Sequence, residues 1–290
     1  MATLKQIRAR IRAAKNIQQI TKAMKLVAAA RLKKATDRVL EARPYADKLR
    51  GVMESVSETG DLPKHPLMDR RPIRKACLIL ITSDRGLAGA FNTSLIRKAT
   101  DFLKGASYET VLYTVGKKGT QFFGRRGFKI VDSLSVPSSG ARLEDATKVA
   151  QEARRMFESG EVDAIFVCYS KFYSAIRQVP QVVQLLPIEP PQKSSEPSKT
   201  GTIKASYSFE PSPEGLLNTL LPRYFLTLLW QAMLESTASE FGARMTAMTS
   251  ATDNAGKMIQ SLTLTANRER QAVITTQILE VVGGAEALKS

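Results

Sequence analysis

The sequence predicts an α/β protein: a long antiparallel coiled coil of N- and C-terminal helices with an inserted small α/β (Rossmann-like) lobe. Three observations lead there. Apolar residues recur at steps of three and four along both ends of the chain. Helix breakers are scarce at both ends. Between the ends, short β-rich apolar runs alternate with helical stretches.

The N-terminal helix is expected over residues 1–58. No proline occurs from Met1 to Arg43, and the first glycine is Gly51. Leu4, Ile7, Ile11, Ala14, Ile17, Ile20, Met24 and Val27 form one helical stripe, with Arg8, Arg10, Arg12, Lys15, Lys22, Lys25, Lys33 and Lys34 on the other faces. Pro44 marks either a kink or an irregular turn. A helix of about 50 residues is about 75 Å long, well beyond the usual globular helix. The first 34 residues lack acids, as mitochondrial targeting peptides do. The helical pattern continues past Arg31 without a cleavage-like segment, so the stretch reads as mature structure.

The central lobe is expected over residues 75–188. CLILITS (77–83) reads as a strand, followed by a glycine-containing turn and a helix over 87–103. ETVLYTVG (109–116) and VDAIFVCYS (162–170) read as further strands, with a helix at 143–158 between them. Residues 176–186 are extended despite Pro180, which places them at an edge or a bulge. Residues 189–208 are expected to form a mobile linker and foot, because PPQKSSEPSKTG has a linker's composition.

The C-terminal helix is expected over residues 209–286. Met245, Met248, Thr252, Ala255, Ile259, Leu262 and Ala266 alternate steps of three and four, the 3.5-residue period of a supercoiled seam. The stripe then shifts to Ile274, Ile278 and Val281, and Gly283-Gly284 is expected to end the helix. Neither terminal helix can bury its stripe alone, so the two are expected to pair.

Several chemistries lack material. LLPRYFLTLLW is the richest apolar run and contains Arg223, so no stretch approaches the ~20 residues of a membrane-spanning helix. Cys77 and Cys168 sit singly in apolar runs and read as buried, reduced thiols. His65 is the only histidine. SDRGLAGAFN (83–92) follows a strand and opens a helix, where α/β folds hold phosphate, but it does not match G-x-G-x-x-G. Gly116-Lys117-Lys118-Gly119-Thr120 has phosphate-loop ingredients without the spacing. No cofactor and no metal are expected.

Of the net charge of +16, residues 1–50 carry +11, as 14 lysines and arginines against three acids. Such a concentration predicts an anionic partner without naming it. A basic coiled coil that binds nucleic acid is one alternative, although the first 44 residues hold no aromatic side chain to stack on bases. An α/β sensor lobe on a coiled-coil arm is another.

ITKAMKLVAAARL (20–32), SDRGLAGAFN, ARMTAMTSATDNAGKMI (243–259) and NRERQAVITTQILEVVGGAEAL (267–288) together resemble the gamma subunit of F-type ATP synthases, end to end and in order. The resemblance implies the central-stalk rotor of a proton-translocating complex, a subunit with no catalytic site of its own. It would turn inside three alpha and three beta subunits, contact epsilon and the membrane c ring, and bind no nucleic acid. Membrane association would be peripheral and only through partners, on the cytoplasmic side of a bacterial plasma membrane. The family's beta-contact positions fall on Met24, Lys25, Arg244, Thr252, Asp253, Asn254, Arg270, Gln271 and Thr275. Its epsilon and c-ring foot falls on Tyr207, Phe209 and Glu210. Gln277 stands where the family usually has glutamate, and Phe241-Gly242 replaces a more usual polar-alanine pair. No cysteine lies in the linker, so the chloroplast branch's thiol switch is not expected.

Overall fold

The computed structural model describes residues 3–58, 65–189 and 213–287. The expected linker at 190–201 and Tyr207, Phe209 and Glu210 lie outside the described residues. The elements run α1 (Leu4–Glu58), a 3-10 turn (Pro66–Met68), β1 (Lys75–Ile81), α2 (Phe91–Gly105), β2 (Glu109–Val115) and α3 (Lys117–Gly124). There follow β3 (Ile130–Leu134), α4 (Leu143–Glu158), β4 (Ala164–Phe172), β5 (Gln178–Leu186) and α5 (Pro213–Ala287). The chain divides into two compact units, residues 1–28 with 244–290 and residues 29–243. Both long helices contribute to both units.

In the larger unit the sheet order is β3-β2-β1-β4-β5, with β1, β2, β3 and β4 parallel and β5 antiparallel to β4. The central strand β1 is buried on both faces, which is why its sequence is almost continuously apolar. Cys77, Ile79 and Ile81 face one layer, and Leu78 and Leu80 face the other. The first layer is α4, through Val149, Ala153, Met156 and Phe157, together with Leu49 and Met53 of α1 and Leu221, Phe225, Leu229 and Met233 of α5. The second is built from Leu95 and Ala99 of α2 and Phe123 of α3. Cys77 and Cys168 lie in these separate layers, and burial pushes both thiols up to about 12. Pro180 pairs with Ser170 on β5, the sheet's edge strand, where a missing N–H costs no ladder bond.

The loops at the C-terminal ends of β1, β2 and β3 are tied by two side chains. The Thr82 hydroxyl lies 3.2 Å from the Val115 carbonyl and 3.1 Å from that of Gly116, and accepts the Gly119 N–H at 2.9 Å. Asp84 accepts the Lys117 N–H at 3.0 Å, the Val136 N–H at 3.4 Å and the Ser135 hydroxyl. Gly116 adopts φ +97°, and a Cβ there would stand 2.1 Å from the Thr82 carbonyl oxygen, so only glycine fits.

Four expectations change. The helix α1 continues through Pro44 without a break. Pro44 and Leu40 are both exposed, so the carbonyl that loses its helical donor stays hydrated. The helix α5 runs through Gly283-Gly284 to Ala287, and neither glycine takes the left-handed conformation that would cap it. The second helix starts at Phe91 rather than 87, because Leu87 at φ +64° and Gly89 at φ +54° form the turn before it. Two short elements, α3 and β3, stand between β2 and α4, where no element was expected.

Glu235 of α5 is 3% exposed, and its Oε2 has no hydrogen-bond partner. Its Oε1 accepts from Gln231 Nε2 at 3.3 Å. Burial raises its pKa, outweighing the opposing pull of that hydrogen bond, the Phe172 backbone, Lys171 and Arg43. A carboxyl raised on folding contributes stability below its unfolded value of about 4.3, and that contribution fades as pH rises toward the folded one. Glu235→Gln should therefore stabilise the chain relative to the parent at pH 8 but not at pH 4, read from denaturant midpoints. An equal difference at both pH values would contradict this.

Candidate partner-contact surface

In the smaller unit α1 and α5 pair through a regular seam. Ile7, Ala14, Thr21 and Ala28 are buried at seven-residue intervals, and Leu4, Ile11, Gln18 and Lys25 between them are half-buried. This strict alternation of three and four is a heptad repeat. Opposite it, Met248, Ala255 and Ala266 are buried and Met245, Thr252, Ile259 and Leu262 are half-buried. The α5 seam is thus the one its sequence predicts. The α1 stripe departs from its expectation after Ala14, because Ile17, Ile20 and Val27 are 54%, 58% and 52% exposed. Steps of three moved the expected stripe off the seam, whereas strict 3-4 alternation selects Gln18, Thr21, Lys25 and Ala28.

One hydrogen bond and one close approach set the register. The Thr252 hydroxyl donates to Thr21 Oγ1 at 2.9 Å and lies 2.8 Å from the Met248 carbonyl oxygen. One level away, Gly256 lets Gln18 approach, and a Cβ there would meet Gln18 Nε2 at 3.1 Å. With Thr21 opposite Thr252, antiparallel counting brings Leu4, the first residue of α1, opposite Glu269. The helix α5 therefore continues past the end of its partner from Arg270. Residues 270–284 are all exposed, including Val273, Ile274, Ile278, Leu279, Val281 and Val282.

The residues marked by family resemblance fall into separate places. By the same register Met24 and Lys25, both half-buried, lie within two turns of Thr252, Asp253 and Asn254, of which the last two are exposed. Arg244 is 9% exposed, two turns back along α5. Arg270, Gln271 and Thr275 stand on the unpaired extension, and the Thr275 hydroxyl donates to the Gln271 carbonyl at 3.0 Å. Arg270 is about 27 Å along the helix from Thr252. Sequence reasoning missed the exposed apolar residues Ile17, Ile20, Leu26 and Val27 as surface candidates. The heptad count was the signal that separates them from the seam.

Charge adds a second property. None of the cations from Lys5 to Arg38 forms an ion pair with a described carboxylate. The lobe's phosphate-loop candidates are satisfied within the protein. The first amides of α3 donate to Asp84, to the Ser83 carbonyl (3.1 Å) and to Thr82. Asn92 Oδ1 accepts the Ser83 N–H at 3.0 Å, closing the 83–92 turn. His65 accepts the Leu67 N–H through Nδ1 (3.1 Å) as the cap of the 3-10 turn, and burial lowers its pKa. Among the described residues no group of His, Cys, Asp or Glu could hold a metal, and no helix is long and apolar enough to cross a membrane.

The heptad seam, the unpaired apolar extension and the uncompensated basic face define a coiled-coil interaction protein with an inserted α/β lobe. Comparison with known proteins supplies the family. The family model described as ATP synthase matches residues 3–288. The ATP synthase gamma chain of Brevibacillus brevis is 43% identical over 287 residues, covering 98% of each chain. That of Moorella thermoacetica is 45% identical over 289 residues, covering 100% of each. Among solved structures, a central stalk/c-ring chain of the Tetrahymena thermophila mitochondrial ATP synthase aligns with TM-score 0.60 at 25% identity, over 80% of this chain and 99% of that one. A chain of the Euglena gracilis mitochondrial ATP synthase shares the fold, with TM-score 0.71 at 19% identity over 98% and 94%. The chain belongs to the ATP synthase gamma-chain family.

The seam predicts its own mutational signature. Thr252→Val leaves the Thr21 hydroxyl facing a methyl group and should cost about 1 kcal/mol, whereas Thr21→Val with Thr252→Val should recover most of it. Thermal unfolding of the parent, the single and the double variant measures this, and additive losses would contradict the paired hydroxyls.

Proposed function

We propose that the chain is the rotating central-stalk subunit of a proton-translocating F-type ATP synthase, coupling ion flow through a membrane c ring to ATP synthesis or hydrolysis on the beta subunits. The observation that carries this most directly is the exposed apolar extension beyond Arg270, continuous with a stiff two-helix seam. Six large apolar side chains on one unpaired helix are costly in water, and a surrounding ring of subunits would cover them. The uncompensated cations of α1 suit acidic surfaces of the same ring. Family membership favours this use of the charge over nucleic acid.

Torque needs stiffness and sided contacts, and both can be assigned. The paired stretch resists bending better than one helix. Met24, Lys25, Arg244, Thr252, Asp253 and Asn254 would meet beta subunits along the paired stretch, and Arg270, Gln271 and Thr275 on the extension. Arg270 and Gln271 are exposed neighbours, placed to donate to one loop at a defined angle of rotation. Tyr207, Phe209 and Glu210 would form the foot toward epsilon and the c ring. Domain roles follow the chain: two helices for the shaft (1–58 and 209–286), a lobe at 75–188 and a linker and foot at 189–208. The chain would perform no catalysis and hold no cofactor. Its place would be peripheral, on the cytoplasmic face of a bacterial plasma membrane, held by its partners.

Arg270→Ala with Gln271→Ala should lower coupled ATP synthesis by about tenfold, the rate equivalent of one charge-assisted hydrogen bond, while leaving assembly intact. Synthesis in membrane vesicles and the subunit content of the purified complex measure the two effects. Undiminished synthesis would remove this pair from the coupling role.

A further inference from the structure

Within the larger unit, a concave site lies between α1, α5 and the turn at residues 137–141. Arg31, Lys34 and Arg38 line it from α1, Ser139 from the turn, and Leu234 and Thr237 from α5. Three cations at i, i+3 and i+7 share one helix face, where like charges repel. No carboxylate lines the cavity, and none of the three forms an ion pair among the described residues.

The site is also rigid. Arg31 Nη1 donates to the Ser138 carbonyl oxygen at 2.7 Å, and its guanidinium lies 5.9 Å from the centre of the Phe241 ring. Gly140 adopts φ +103°, and a Cβ there would stand 2.7 Å from Thr237 Cγ2, so the turn is pressed against α5. Arg31 and Arg38 are half-buried, which leaves part of each charge poorly hydrated. The cavity holds about 220 Å³. Small-molecule sites usually measure roughly 300–1,000 Å³, so a nucleotide is too large and a single tetrahedral oxyanion fits.

We propose that this pocket binds one phosphate-sized oxyanion, which bridges Arg31, Lys34 and Arg38 of α1 to the turn that abuts α5. Guanidinium groups engage such oxygens in pairs, and the lysine adds a mobile point charge. Bound phosphate offsets the repulsion along α1 and clamps the two helices and the turn together. Nothing in the proposed rotor function requires this ligand, so the two stand or fall separately.

The test uses the full chain with inorganic phosphate as probe, read by thermal unfolding and by ³¹P line broadening at constant ionic strength. Phosphate should raise Tm saturably, and chloride should not. Arg31→Gln with Arg38→Gln should weaken apparent affinity at least about tenfold, the worth of one lost charge-assisted contact. Lys34→Gln, at an exposed position that folding does not depend on, should weaken it several-fold. Lys15→Gln, elsewhere on α1, should leave it unchanged. Equal shifts with chloride, or equal losses in Lys15→Gln and Lys34→Gln, would reduce the effect to diffuse charge screening and overturn the proposal. Tighter binding of ADP, or of a poly-glutamate peptide, than of phosphate would overturn it in favour of a larger ligand or an acidic protein surface.

Discussion

The structure of the smaller unit depends on one pairing: residues at opposite ends of the sequence share a seam with a repeat of 3.5 residues. An isolated helix with such a stripe gains little from its own hydrogen bonds in water and needs a partner to cover the stripe. Here the partner is the chain's other end. Small residues make the fit close, with Ala14, Ala28, Ala255 and Ala266 buried where larger side chains would hold the backbones apart. The Thr21–Thr252 hydroxyl pair then fixes which level faces which, since a slip by one level would set the Thr21 hydroxyl against Met248 or Ala255.

That register determines what is left over. Because α1 begins opposite Glu269, no described helix lies against the last part of α5, although its sequence remains apolar. The same chain buries Leu217, Leu221, Phe225, Leu229 and Met233 of α5 fully in the lobe's core. One helix therefore changes surroundings along its length, from a sheet-packed segment to a paired segment to an exposed one. The sheet-packed segment holds the chain's richest apolar run, but the paired and exposed segments are not separated by composition. Between those two, the availability of a neighbour makes the difference. Within the larger unit the lobe packs on both helices through one shared apolar layer, with Leu49 and Met53 of α1 meeting the same face as Phe157 of α4.

Much of this was legible in the residues. The α5 seam and the alternation of strands and helices followed from period and composition, and Pro180 narrowed β5 to an edge or a bulge, of which the structure shows the edge. The α1 seam was legible only in part, because Ile17, Ile20 and Val27 are better hydrophobes than Gln18, Thr21 and Lys25, and identity outweighed strict spacing. The strand β3 was missed because IVDSL is short, half polar and on an edge, with its side chains only partly buried. Pro44 and Gly283-Gly284 misled for one reason: an exposed helix tolerates a missing bond or a flexible residue when water and neighbouring turns supply the rest. The candidate contacts Arg270, Gln271 and Thr275 carry no spacing signal at all. Their proposed meaning comes from family resemblance, and the structure contributes their exposure on the unpaired stretch.

The pairing of the two ends is most directly tested by a cross-link. Thr21→Cys with Thr252→Cys places two sulfurs where hydroxyl oxygens now stand 2.9 Å apart, within reach of a disulfide after a small adjustment. The native thiols do not interfere, because Cys77 and Cys168 are buried with pKa values pushed up to about 12. Mild oxidation of the double variant should give one intramolecular bond and a faster-migrating monomer on a non-reducing gel. A monomer that stays reduced, or that links only between chains, would contradict the shared seam.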